Sequence, residues 1–346
     1  MVGEDARPTT GTLVISLDLE LNWGAGRRNR WIDDNRDEVL GIRRAVSRML
    51  DLLSEYDVRA SWPVVGLLFC ESKDELLDHL PRRLPSYDNP AHSPYAHVAR
   101  IGESEADDPL HYAPTLIDEI AGHPGQEVAS RTFSNFDWRC PGPDADEFAA
   151  DLESAIAIAR RRELILRSLA VPGNRLSSEA LGICRRLGIA AVRGPPPVWP
   201  YRSDADDEEL FRFWLRRWAR RLDAVVPLTG TRCVGDRPLR RKTPVEISST
   251  RRWRPLSPRP ALLALQRRRL DMELDRAADE GGVVHLWAKM CDFSRSWTKL
   301  SDEFRRFIEH FSEHRRQKKM VSATMHDVVM GGRRQDPGTP GPRVAL

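Results

Sequence analysis

At 346 residues the chain is long enough to bury a substantial core, as one large α/β domain or two small ones. Its 54 lysines and arginines are interspersed among 51 acids for a net charge of +3, which lacks the basic excess that nucleic-acid binding draws on. Five cysteines, Cys70, Cys140, Cys184, Cys233 and Cys291, form no Cys-x-x-Cys pair, which argues against a disulfide framework and for a reduced compartment.

Residues 1–10 are polar and carry Glu4, Asp5 and Arg7. They lack the apolar core of a secretory signal and read as a flexible arm. Residues 13–18, a β-branched and apolar run after Gly11, read as a buried strand; alternation puts Ser16, Asp18 and Glu20 on one face if that strand continues. A helix fits 37–56, where Val39, Ile42, Val46, Met49, Leu50 and Leu53 recur at helical spacing, and 58–69 supplies the next strand and its loop. Residues 81–111, with Pro81, Pro85, Pro90, Pro94 and Pro109, form a loop insertion, either a lid over a site or an inert surface excursion. Then come a helix at 114–122, a strand at 127–130, a helix at 144–163, a strand at 166–171, a helix at 177–187 ended by Gly188, and a strand at 189–193. Helices over 206–223 and 259–279, a strand at 283–288 and a last helix over 301–316 follow, and 331–346 reads as a disordered Gly, Pro and Arg tail. Arginine clusters at 216–221 and 267–269 read as solvated helix faces, and no stretch approaches the ~20 apolar residues of a membrane helix. The expectation is a cytoplasmic chain without membrane insertion or internal repeats. Strand–helix alternation predicts a parallel sheet covered by helices, which enough repeats would close into a barrel.

Several segments in order carry a family resemblance. Ile15-Ser-Leu-Asp-Leu-Glu-Leu-Asn-Trp-Gly24, Ala60-Ser-Trp-Pro-Val-Val-Gly66, Ser130-Arg-Thr-Phe-Ser-Asn135, Ala170-Val-Pro-Gly-Asn-Arg175, Arg193-Gly-Pro-Pro-Pro-Val-Trp199 and His285-Leu-Trp-Ala-Lys-Met-Cys-Asp-Phe293 resemble motifs of the polysaccharide deacetylases. This is the NodB-homology domain of carbohydrate esterase family four, and the likeness runs from about residue 11 to 328. It implies a single-domain α/β fold, an irregular (β/α) barrel with its site at the C-terminal strand ends. It also implies a catalytic base at Asp18, with Glu20 matching a variant position for the second acid. The family's two metal-binding histidines fall on Arg131 and Asn135, and its general-acid histidine falls on Lys289.

Arginine stays protonated and asparagine is a poor zinc ligand, so the replaced positions argue against the family's metal chemistry. Asp18, Glu20 and His285 could still hold a divalent ion such as zinc, or His285 could be a hydrogen-bonded core residue; by alternation it shares a face with Trp287 and Lys289. Arg131 and Lys289 would instead bring two positive charges to Asp18 and Glu20. Three outcomes remain open: metal-free catalysis by Asp18, Glu20 and Lys289 with Arg131 and Asn135 binding substrate, a metal-dependent amide hydrolase with rearranged ligands, or a pseudoenzyme that binds carbohydrate or a partner protein. Asn174 and Arg175 would line the pocket. Trp23, Trp62, Trp138 and Trp287 would either pack the core or, as candidates at Trp23, Trp62 and Trp287, stack on a sugar ring. The expected partner is a glycan, sugar conjugate or other small polar molecule; oligomeric state stays open.

Overall fold

The computed structural model describes residues 10–24, 36–196, 243–254, 259–294 and 297–331. Within them the strands are β1 Gly11–Asp18, β2 Ala60–Val64, β3 Gln126–Ser130, β4 Ser168–Leu169, β5 Ala191–Gly194, β6 Val245–Ser248, β7 Arg251–Arg252, β8 Gly282–Lys289 and β9 Met320–Ala323. Their order is β6-β5-β4-β3-β2-β1-β8-β7 with every pairing parallel. The two ends of that order are consecutive in the chain. After β6 has paired with β5, Ser249 N donates to Gly194 O at 2.9 Å, Thr250 N donates to His285 O at 2.8 Å, and β7 continues along β8. The sheet thus comes round on itself as the expected irregular (β/α) barrel. One source of irregularity is β9, which lies along residues 11–14 of β1 and leaves β2 only the Ser16–Ser61 register there.

The helices are α1 Arg36–Glu55, α2 Lys73–Asp78, α3 Pro114–Gly122, α4 Ala145–Arg161, α5 Ser178–Arg186, α6 Pro260–Glu280, α7 Met290–Ser294, α8 Trp297–Arg316 and α9 Met325–Val329. The periodic residues read in α1, from Val39 to Leu53, are buried in the main core cluster, as the 3.6-residue pattern requires. A capping box starts α4: Glu147 N donates to Asp144 Oδ1 at 2.8 Å, and Asp144 N donates to Glu147 Oε2 at 3.1 Å. Ser177 caps α5, which gives way to Gly188 at φ +83°, where a side chain would strain the turn.

Two strands are short, and the second is shorter than its predicted 166–171. β2 stops at Val64: Val65 N still donates to Leu19 O beside β1, but Gly66 N donates to Thr132 O and Leu67 N to Phe133 O, tying this turn to the loop after β3. β4 is only Ser168–Leu169, since Pro172 and Gly173, at φ +78°, turn the chain within three residues. The readings at 1–9, 206–223 and 332–346, and the Pro197, Val198 and Trp199 end of one motif, lie outside the described residues.

The 81–111 insertion packs onto the barrel through specific bonds. Tyr95 Oη donates to Asp151 Oδ2 on α4 at 3.0 Å, and His111 bonds to Asn22 and Trp23 in the turn after β1. Tyr95→Phe is expected to cost about 1 kcal/mol, the net worth of one such bond, measured by urea unfolding. Among the described residues no helix is long and apolar enough to cross a membrane, and Cys70, Cys140, Cys184 and Cys291 are free thiols.

Candidate functional site at the barrel mouth

Parallel strands in a barrel deliver their C-terminal residues to one mouth. Here β1 brings Ser16 and Asp18, with Glu20 just past its end. β8 brings His285, Trp287 and Lys289, in a register that sets Asp18 beside Lys289 and Ser16 beside Trp287. Arg131 follows β3, Arg193 lies on β5 and Arg252 on β7.

These side chains form an alternating line of charge. Arg193 grips buried Asp18 with both ends of its fork, Nη1 to Oδ1 at 2.7 Å and Nη2 to Oδ2 at 2.8 Å. Arg131 Nη1 stands 2.9 Å from Asp18 Oδ2, while its Nη2 reaches Glu20 Oε1 at 2.5 Å. Lys289 Nζ closes the line on Glu20, 2.8 and 2.6 Å from the two oxygens. Bidentate, charge-assisted contacts of this kind are the strong class of hydrogen bond. Arg193 is itself fixed from three sides. Its Nε donates to Asn174 Oδ1 at 2.8 Å, its Nη1 also donates to Ser16 Oγ at 2.9 Å, and its guanidinium lies 4.6 Å from the centre of the Trp287 ring. Arg252 stacks on the same ring at 4.9 Å and pairs with Asp292 Oδ2 at 2.7 Å.

Local chain geometry explains how the acids and Arg131 arrive. A Cβ at Gly24 would run into the Glu20 carboxylate, so the glycine that ends the first motif leaves room for Glu20 to fold inward. The loop carrying Arg131 and Asn135 turns through φ +56° at Thr132 and +60° at Asn135. Buried Asp151 holds it by accepting from Phe133 N at 2.8 Å and Ser134 N at 3.1 Å. Burial raises the Asp151 pKa against those bonds.

Burial alone would also raise Glu20, but the charges of Arg131 and Lys289, the bond from Lys289 and the charge of Arg252 outweigh it and hold its carboxyl at about 2. Burial pushes the Arg193 guanidinium down against the pull of Asp18, whereas Arg131, between two carboxylates, ends above its ordinary value. Buried His285 is lowered to about 3 by desolvation and by the charge of Arg193. It stays neutral at neutral pH, with Nε2 2.9 Å from Ser16 Oγ.

No family model and no curated protein matches the chain. Among solved structures, one from Mycobacterium smegmatis assigned as a polysaccharide deacetylase superposes with a TM-score of 0.54 at 14% identity, covering 99% of this chain and 98% of that one. Another with the same assignment, from Pseudomonas aeruginosa PAO1, gives 0.50 at 12% identity, over 95% and 92% of the two chains. The chain has the polysaccharide-deacetylase fold. At these identities the likeness extends to the fold alone, and the chemistry rests on the residues at the barrel mouth.

The divalent ion expected in this fold does not fit those residues. The Asp18 oxygens are engaged by Arg193 and Arg131, those of Glu20 by Arg131 and Lys289, and His285 Nε2 faces Ser16 beside a guanidinium. Of the alternatives open in the sequence, these contacts favour His285 as a hydrogen-bonded core residue over Asp18, Glu20 and His285 as a zinc set: cations of the chain stand where a dication's ligands would turn their lone pairs.

The other predicted residues divide by exposure. Asp18, Glu20, Arg131, Asn174 and His285 meet in one buried network, and Lys289 and Trp287 reach it from the partly exposed side. Trp62 is corrected from sugar platform to core: it is fully buried and donates to Gln126 Oε1 at 3.0 Å. Trp23 is buried as well, donating to His111 O at 2.9 Å. Asn135 Nδ2 donates to Trp23 O at 3.3 Å, Arg175 is partly exposed, and Trp138 packs on Phe136 and Phe148. Arg193 and Arg252 were missed. For Arg193 the signal was present, a charged residue at the end of an apolar strand, where burial demands a partner.

The lowered Glu20 pKa makes an acid-limb prediction. Its carboxylate stabilises the fold fully above the ordinary value of 4.5, and that contribution is lost as pH falls toward about 2. Urea midpoints between pH 5 and 2 are expected to fall more steeply for the wild type than for Glu20→Gln, by roughly 3 kcal/mol in all. The neutral His285 adds its own loss from 6.5 down to about 3, common to both proteins.

Proposed function

We propose that this chain is a divergent member of the polysaccharide deacetylase family that binds a glycan, sugar conjugate or other small polar molecule at the barrel mouth, without metal-dependent N-deacetylation. The observation that carries this reading is the unbroken series Arg193, Asp18, Arg131, Glu20, Lys289, each within ion-pair distance of the next. Metal-assisted amide hydrolysis needs an activated water, a base to accept its proton and an acid to protonate the leaving amine. Asp18, the family's base position, is buried, paired to both ends of the Arg193 fork and within ion-pair distance of Arg131, which disfavours it as a base that must take up a proton from a water. Lys289 keeps 25% of its side chain exposed and Trp287 is partly exposed beside it. A cation next to an indole face suits a hydroxyl-rich or anionic ligand.

A second reading, Lys289 as a metal-free general acid, is supported by that same exposure and by the placement of its ammonium on both Glu20 oxygens. The experiment is a panel of neutral and acidic oligosaccharides, including an N-acetylglucosamine tetramer, assayed for binding by calorimetry and for acetate release with and without EDTA. Binding without acetate release, unaffected by EDTA and weakened at least tenfold in Lys289→Ala, is expected. Acetate release that EDTA abolishes would overturn the proposal, as would failure of every saccharide to bind. Chelator-insensitive turnover lost in Lys289→Ala would select the second reading.

A further inference from the structure

A separate set of ligating side chains sits on the outside of the barrel, where α6 and α8 pack together. His310 and His314 lie one turn apart on α8, with ring centroids 4.9 Å apart and planes crossed at 79°. Both aim Nε2 at the same atom of α6: Asp275 Oδ1 is 2.7 Å from His310 Nε2 and 2.9 Å from His314 Nε2. One ligand atom from each of the three residues lies within 4.8 Å of the other two.

We propose that Asp275, His310 and His314 form a divalent transition-metal site of the zinc class, fastening α6 to α8. Residues four apart on a helix are neighbours on one face, so the helix itself presents the two imidazoles as a chelating pair. Two imidazoles and a carboxylate make a three-ligand set for zinc, with a fourth, tetrahedral position left to water. Nitrogen donors of this type select zinc, copper or nickel over magnesium and calcium, which favour all-oxygen shells. Ligand atoms around a tetrahedral zinc stand roughly 3.3 Å apart, given bonds of about 2.0–2.2 Å. Asp275 must therefore back away by about half an ångström, and its half-exposed side chain has the room.

The surroundings favour a cation. Asp271 lies one turn before Asp275 on α6, and Glu313 Oε2 lies 3.7 Å from His310 Nδ1. At that distance Glu313 adds negative charge beside the His310 ring without a hydrogen bond to it. The nearby cation Arg267 is paired to Asp271 and to Glu303, the latter at 2.9 Å. None of these residues belongs to the barrel mouth, so the outcome here is independent of the ligand proposed there.

The test is titration of the full chain with zinc by calorimetry, and with cobalt followed by its visible spectrum. Expected are one ion per chain, a four-coordinate cobalt band and a raised melting temperature with zinc. All three should be lost in His310→Gln/His314→Gln and in Asp275→Ala, and retained in Lys289→Ala. No bound ion in the wild type would overturn the site, leaving two histidines hydrogen-bonded to one carboxylate. Equal zinc affinity in the double histidine variant would overturn it too. Should that variant fail to fold, Asp275→Ala, at a half-exposed position, decides by the same readouts.

Discussion

Arg193→Met is expected to lower the free energy of unfolding by roughly 3–5 kcal/mol at neutral pH, the range for removing one partner of a buried ion pair. Methionine can still pack beside Trp287, so the loss is mainly electrostatic and polar. It leaves Asp18 without its fork and Asn174 Oδ1 without the Nε donor. Among the described cations only Arg131, 2.9 Å from Oδ2, remains within ion-pair distance of the Asp18 carboxylate, and it is shared with Glu20. Adding Asp18→Asn should recover part of the loss, because the double variant no longer buries an under-paired anion; the double-mutant cycle is therefore strongly non-additive. A second readout separates charge from packing. With the Arg193 charge gone, one of the two causes that lower His285 disappears, so the His285 pKa should rise from about 3 in a histidine-resolved NMR titration. Loss of stability within 1 kcal/mol of zero, with His285 unmoved, would mean that Arg193 contributes little to the network.

Which parts of this arrangement were legible depends on the range of the interaction that fixes each. Alternation along single strands is local, and it grouped Ser16 with Asp18 on β1, and His285, Trp287 and Lys289 on β8; Glu20 lies past the end of β1, where alternation no longer applies. The expectation that Arg131 and Lys289 supply positive charge to Asp18 and Glu20 agrees with the observed distances, because a motif resemblance places residues by fold position rather than by local pattern. Arg193 meets Asp18 across 175 positions, and no periodicity encodes that choice of partner. β7 is two consecutive arginines whose pairing with β8 is decided by barrel closure rather than by β-propensity. Trp62 and Trp287 looked alike in sequence. One lies in the middle of a short strand covered on both faces, the other near the open end of β8, and only depth in the barrel distinguishes core from wall.

Depth also governs the largest expected change in ligand chemistry. Arg131→His with Asn135→His restores the two imidazoles that the family resemblance assigns to these positions, and Asn135 sits at φ +60°, a conformation histidine tolerates better than most residues. Even so, the double variant, made in the His310→Gln/His314→Gln background, is expected to take up no stoichiometric zinc. Arg193 would still engage both Asp18 oxygens, and Lys289 would still hold Glu20, so a dication would meet two fixed positive charges and no free carboxylate. Adding Arg193→Met frees Asp18 to join the two histidines in a three-ligand set. Zinc affinity should then rise at least tenfold over the double variant, about 1.4 kcal/mol. The ion would also restore part of the stability lost with Arg193, because it binds the folded chain. Near-stoichiometric zinc in the double variant would show that Arg131 alone displaced the metal; no gain in the triple variant would place the obstacle at Lys289, whose replacement is then the next step.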